Sequence, residues 1–166
     1  MREGDLLASL RRLRDYEIEF IIVGGLAAVL NGAPIQTFDI DVVYSLQPAN
    51  IDHIGACLEF LDAVFRIQPE RRMHPTRSHL AAGGHLNLIT RFGPLDLLGT
   101  IGQGLGYSEL LPESNEMDIG QGIRVRVLNL ETIIAVKEQL ASEKDLAVLP
   151  VLRRTLSESR QRGREA

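Results

Sequence analysis

Tryptophan is missing from this chain, and Cys57 is its only cysteine. A lone thiol closes no internal disulfide, so the fold must rest on its core, and a reducing cytoplasm is the expected setting. No apolar run reaches the roughly 18 residues that cross a bilayer, and Met1-Arg2-Glu3-Gly4-Asp5 does not begin a signal peptide, so no membrane association is expected. A large excess of either charge is lacking too, with 18 Lys and Arg against 22 Asp and Glu. A formal net charge of −4 gives no whole-surface attraction to nucleic acid and leaves only a local patch to provide one. His74, His79 and His85 form no zinc spacing with Cys57. There is no internal repeat.

What is present fits one compact domain. The chain has 166 residues, of which 45% are hydrophobic and 24% charged, enough to bury a core. The expected division is a core over about residues 4–128 and C-terminal helices over about 130–158 within a single domain 1–166. Leu6, Leu7, Leu10 and Leu13 mark an amphipathic helix over about 4–17, and Ile51, Ile54, Leu58 and Leu61 mark another from Pro48 to about Ala63. Glu19 to Val23, Phe38 to Tyr44, Val64 to Ile67, Leu86 to Thr90, Pro94 to Leu98 and Ile123 to Leu128 read as strands. The fold class expected is mixed α+β, a sheet flanked by helices and closed by a C-terminal helical pair. Pro150 is expected to kink or restart the last helix, and the polar tail from Ser157 to fray.

The strongest chemical signal is Asp39-Ile40-Asp41. In a strand, side chains alternate, so Asp39 and Asp41 would share a face about 6.6 Å apart along the rise. Two like charges on a strand otherwise built of Phe38, Ile40, Val42 and Val43 are costly to desolvate unless a cation meets them. A divalent metal site follows as the expectation. Just upstream, the strand to Val23 runs into Gly24-Gly25 and then Leu26-Ala27-Ala28-Val29-Leu30, a helix stopped by Asn31-Gly32-Ala33-Pro34. Amides at that glycine turn are placed to receive a phosphate whose metal Asp39 and Asp41 would hold.

The run from Val23 to Gly32, followed by Thr37-Phe38-Asp39-Ile40-Asp41, resembles the signature of the polymerase-β-like nucleotidyltransferase superfamily, and most of all its small bacterial branch of toxin and antibiotic-resistance enzymes. The resemblance implies a metal-dependent transfer of a nucleoside monophosphate from an NTP to an acceptor hydroxyl on RNA, protein or a small molecule, with Mg²⁺ or Mn²⁺ as cofactor and an antitoxin-like protein as a partner. It implies metal and catalytic roles for Asp39, Asp41 and a third acid, for which Asp96 is the natural candidate, being the only acid between Glu70 and Glu109. Gly24, Gly25 and Thr37 would bind the nucleotide. The string Leu130 to Lys137 with Lys144-Asp145-Leu146 is similar to the branch's C-terminal motif, in which the lysine, here Lys137, reaches the phosphates.

The chain departs from the pattern in three places. Ile35 stands where relatives commonly carry a basic residue, Gly25 where catalytic members often carry serine, and Ser142 where an arginine is usual. Two other readings therefore stay open: a degenerate, non-catalytic nucleotide-binding or regulatory module, and a two-metal phosphodiesterase. Gly102-Gln103-Gly104-Leu105-Gly106 falls one residue short of a dinucleotide fingerprint and reads as a loop. Arg66, Arg71, Arg72, His74, Arg77 and His79 make a basic stretch that could steer an anion, though no aromatics are interleaved for stacking.

Overall fold

The structure, a computed structural model, describes residues 5–166. Gly4, where the first helix was expected to begin, and most of the segment read for a signal peptide lie outside the described residues. In chain order the elements are α1 (Leu6–Asp15), β1 (Phe20–Val23), α2 (Gly24–Leu30), β2 (Ile40–Tyr44), α3 (Pro48–Phe60), β3 (Val64–Phe65), α4 (Arg77–Ala82), β4 (His85–Thr90) and β5 (Gly93–Leu98). They continue with β6 (Thr100–Ile101), β7 (Leu105–Gly106), α5 (Tyr107–Leu110), β8 (Ser114–Asp118), β9 (Arg124–Leu128), α6 (Leu130–Leu140) and α7 (Glu143–Glu165).

A seven-stranded mixed sheet in the order β3-β4-β5-β2-β1-β9-β8 organises the molecule. β2 is antiparallel to β1 and parallel to β5, and β9 is parallel to β1. The central strands are continuous apolar runs because both of their faces are covered: Ile21, Ile22, Ile40, Val42, Val43, Leu95 and Leu97 are all buried. α2 packs on β1, β2 and β9 and also touches α6, which pairs with α7. Asn31 locks that arrangement, its amide donating to Ala27 O at 2.8 Å and to Leu128 O at 2.9 Å. On β1's other side, buried Asn50 of α3 accepts from Glu19 N at 2.7 Å and donates to Glu19 O and Ser45 O, so one amide joins the start of β1 to the end of β2.

Several boundaries differ from expectation for physical reasons. β2 begins at Ile40, with Phe38 and Asp39 before it: β1 ends at Val23, opposite Asp41, and the residue next to Leu95 on β5 is Pro94, which has no N–H to pair. β8, over Ser114-Asn115-Glu116-Met117-Asp118, is a strand for which no expectation was given; it lies at the sheet edge and is mostly polar. The glycine-rich stretch forms the small β6–β7 hairpin instead of an irregular loop. α7 runs through Pro150 without a break and beyond residue 158 to Glu165. Pro150 is on the exposed side of the helix, where water can take the hydrogen bond its missing N–H forfeits. The tail that was expected to fray is held by Arg154 with Glu158 and Arg160 with Glu131.

Candidate active site

Parallel pairing of β2 with β5 sets Asp41 directly beside Asp96, while β1 sets Val23 on Asp41's other flank. The strands are apolar because the sheet is buried, and at this one level their side chains are acids. Asp96 is only 9% exposed. Burial, a hydrogen bond shared with Asp96 and the negative charges of Asp96 and Asp39 together push the Asp41 carboxyl up to about 7. The physical meaning is a proton shared by two adjacent carboxylates, an effect the nearby Arg66 guanidinium opposes only in part.

Asp39 stands apart from this pair. It is exposed and lies one residue before the strand, and its charge acts on Asp41. The sequence reading that put both acids on one strand is therefore corrected by the position of β2's first residue. Phe38, read as part of the strand, precedes it and is 55% exposed.

Gly24 and Gly25 form the first turn of α2 itself. Gly24 has φ +66°, and a Cβ there would collide with the Asp41 carboxylate. A Cβ on Gly25 would lie 3.0 Å from Thr37 Oγ1. Both positions bring bare backbone against a site residue, which is what a glycine is suited to permit. Val23, at the N-cap, offers no side chain to the helix's first amides. Thr37 in turn donates from its hydroxyl to Asp39 O at 3.4 Å, tying the approach chain to the acid.

From Asp41 and Gly24 a cavity of about 150 Å³ leads to Lys137 and Asp145, walled by apolar side chains such as Leu98, Ile101 and Val136. Lys137 is half-buried and pairs with Asp145 at 3.2 Å. Asp145 escaped the sequence reading as a site residue. Its signal was Ser142-Glu143-Lys144-Asp145, a capping pattern: Ser142 Oγ accepts from Asp145 N at 3.1 Å and donates to Asp145 Oδ2 at 2.5 Å. That hydroxyl, then Lys137, holds the Asp145 carboxyl below its usual value. Ser142, noted as a departure from a usual arginine, thus serves as the N-cap of α7.

Arg66 also reaches the acids, its Nη2 donating to Asp96 Oδ1 at 2.7 Å. Most of the remaining basic stretch is exposed and paired with local partners: Arg72 with Asp62, Arg77 with Asp52, Arg71 with Gln68, and His74 with Ala63 O. Ile35 is half-buried against the core.

The donor set suits a hard cation. Among the described residues no three His, Cys, Asp or Glu side chains converge as a ready cage. Asp41 and Asp96 are nevertheless a pair of adjacent carboxylates strained by their own charge, and Mg²⁺ is commonly held by one or two carboxylates together with substrate phosphates. The residues therefore fit Mg²⁺ or Mn²⁺ brought in with a nucleotide.

Neither a protein-family model nor a curated protein sequence matches the chain. No helix of the described residues is long and apolar enough to cross a membrane. Among solved structures, the fold is similar to the crystal structure of a Thermotoga maritima protein described as a candidate nucleotidyltransferase, with 18% identity, a TM-score of 0.56 and coverage of 92% of this chain and 91% of that one. At this identity the likeness speaks to architecture: the chain has a mixed α+β, nucleotidyltransferase-like fold.

Proposed function

We propose that this chain is a metal-dependent nucleotidyltransferase, a single domain over residues 1–166 that moves a nucleoside monophosphate from an NTP to a hydroxyl of RNA, protein or a small molecule. The observation that carries the reading is the pairing of Asp41 with Asp96 on parallel strands, with Asp41 lining a cavity that Gly24 and Lys137 also line. Asp41 and Asp96, with Asp39 at the edge, would hold Mg²⁺ or Mn²⁺, which when bound supplies charge neutralisation for the triphosphate.

Every other contribution comes from the protein. Gly24 and Gly25 let backbone amides approach the phosphates, and Thr37 fixes the chain that brings Asp39 alongside. Lys137, kept in place by Asp145, gives a positive charge on the far side of the cavity. As the alternative to holding metal, Asp96 would accept the proton of an acceptor hydroxyl as it attacks the α-phosphorus in line. Exclusion of water by the apolar walls strengthens each of these charges.

A non-catalytic nucleotide-binding module is the second reading, and the packing of Ile35 favours it, since the turn before Thr37 then offers the triphosphate no cation. Calorimetric titration with α,β-methylene analogues of the four NTPs tests the binding that both readings require. The analogue is expected to bind in Mg²⁺ and to weaken at least about tenfold in Asp41→Asn or in EDTA, the usual scale for loss of a metal ligand's support. Binding that ignores both changes would refute the site.

A further inference from the structure

The polar row across the sheet continues past the acids. Arg66 follows β3, and its backbone N–H donates to Asn87 O at 2.9 Å. Asn87 is the cross-strand partner of Asp96, and Asp96 of Asp41. Arg66, Asn87, Asp96 and Asp41 thus stand at one level of the sheet, with the guanidinium in contact with the Asp96 carboxylate. Among the described residues Arg66 is the only cation that pairs with any of Asp39, Asp41 and Asp96. Its side chain is 35% exposed, and the single contact to Asp96 uses one donor of a five-donor fork.

Other cations in or near the site already have carboxylate partners, Lys137 within the cavity itself. Lys137 is paired with Asp145, Arg72 and Arg77 with Asp62 and Asp52, and the place where similar sequences carry a basic side chain holds Ile35, packed on the core. A triphosphate entering this site would therefore meet three acids and one guanidinium within reach of them.

We propose that Arg66 is a phosphate-binding residue with two stations: it holds Asp96 while the site is free of nucleotide, and it passes to the phosphoryl oxygens when metal and nucleotide arrive, supplying the charge that Ile35 does not. The inference rests on the nucleotidyltransferase reading of the same site. The exchange is balanced. Asp96 trades a guanidinium for a cation, and Arg66 trades a carboxylate for a phosphate, so neither charge is left unpaired in a half-buried place. A planar fork matches phosphate oxygens bidentately, which a lysine at the same position would not.

The test is calorimetric titration of the parent, Arg66→Met and Arg66→Lys with Mn²⁺ alone, and then with α,β-methylene NTP analogues in saturating Mn²⁺. Arg66→Met is expected to weaken analogue binding about ten- to a hundredfold while Mn²⁺ alone binds as well as or better than in the parent, because a competing cation has left Asp96. Arg66→Lys should recover part of the analogue affinity. If Arg66→Met does not fold, Arg66→Lys carries the test alone, with weaker analogue binding and unchanged Mn²⁺ binding expected. A role limited to orienting Asp96 would weaken Mn²⁺ and analogue together, and that result overturns the proposal, as does equal analogue binding by parent and variants. A parent protein that binds Mn²⁺ but no analogue overturns the nucleotide reading and this inference with it.

Discussion

Replacing Asp41 with asparagine should make the cation-free protein more stable, by an amount that depends on pH. In the folded chain, burial and then the neighbouring Asp96 and Asp39 push this carboxyl from its ordinary 3.8 up to about 7. Between those values the folded state keeps a proton that the unfolded chain has already released. The group's contribution to stability is therefore intact below about pH 4, is lost as pH rises through the interval, and stays lost above about pH 7. At ~1.4 kcal/mol per pH unit, a fully dry site would cost roughly 4 kcal/mol. Asp41 is only partly covered, and solvent screening brings a realistic figure nearer 2 kcal/mol. For a chain of this size that is a rise in Tm of about 4–8 °C. Melts followed by circular dichroism in EDTA, from about pH 4 to about pH 8, would show parent and Asp41→Asn starting together and separating, with the variant the more stable at the alkaline end. Added Mg²⁺ should then raise the parent's Tm and leave the variant's where it was. A difference that stays constant across the pH range would refute the buried, repelled carboxylate on which the metal site rests.

Other substitutions probe the surrounding frame. Ile35→Arg should lower stability by about 1–3 kcal/mol, because Ile35 is packed against the core; urea unfolding checks this, and an unchanged midpoint would contradict that packing. Gly24→Ala should cost about 1–2 kcal/mol from positive φ and weaken Mg²⁺-dependent analogue binding by displacing the Asp41 carboxylate, and full affinity in a folded variant would place the phosphates elsewhere. Asn50→Ala removes three hydrogen bonds made by one buried amide and should cost about 3 kcal/mol, a fall in Tm of roughly 6–12 °C that calorimetry would detect. Analogue binding should persist in that variant below its Tm.

Much of the architecture was legible because local chemistry and burial agree. The apolar runs at Phe20–Val23 and Pro94–Leu98, the stop at Asn31-Gly32 and the alternation around Ile51, Ile54 and Leu58 each have one low-energy interpretation, and the α+β class follows from them. The adjacency of Asp41 and Asp96 could be suspected from two acids standing among apolar neighbours, but only the register of β2 on β5 makes them side-by-side partners. Register also hides Arg66 from the sequence, since its partner is thirty positions away and is chosen by how β3 and β4 align. Asp39 was misplaced because alternation describes a strand and says nothing of where pairing stops. β8 and the end of α7 were missed because each is polar and marginal by itself, and is kept regular by a neighbour: β9 in one case, Glu131 reaching Arg160 in the other.

The central claim is that the Asp41 and Asp96 pair supports transfer of a nucleotidyl group. The most direct measurement is incubation of the protein with NTPs labelled at the α-phosphorus, Mg²⁺ or Mn²⁺, and total RNA with a cell extract as the source of acceptors. The account predicts label covalently attached to an acceptor, with release of pyrophosphate, and none with Asp41→Asn. Tight analogue binding without any labelled product would contradict it in favour of a non-catalytic module, and degradation of RNA without label would contradict it in favour of hydrolysis.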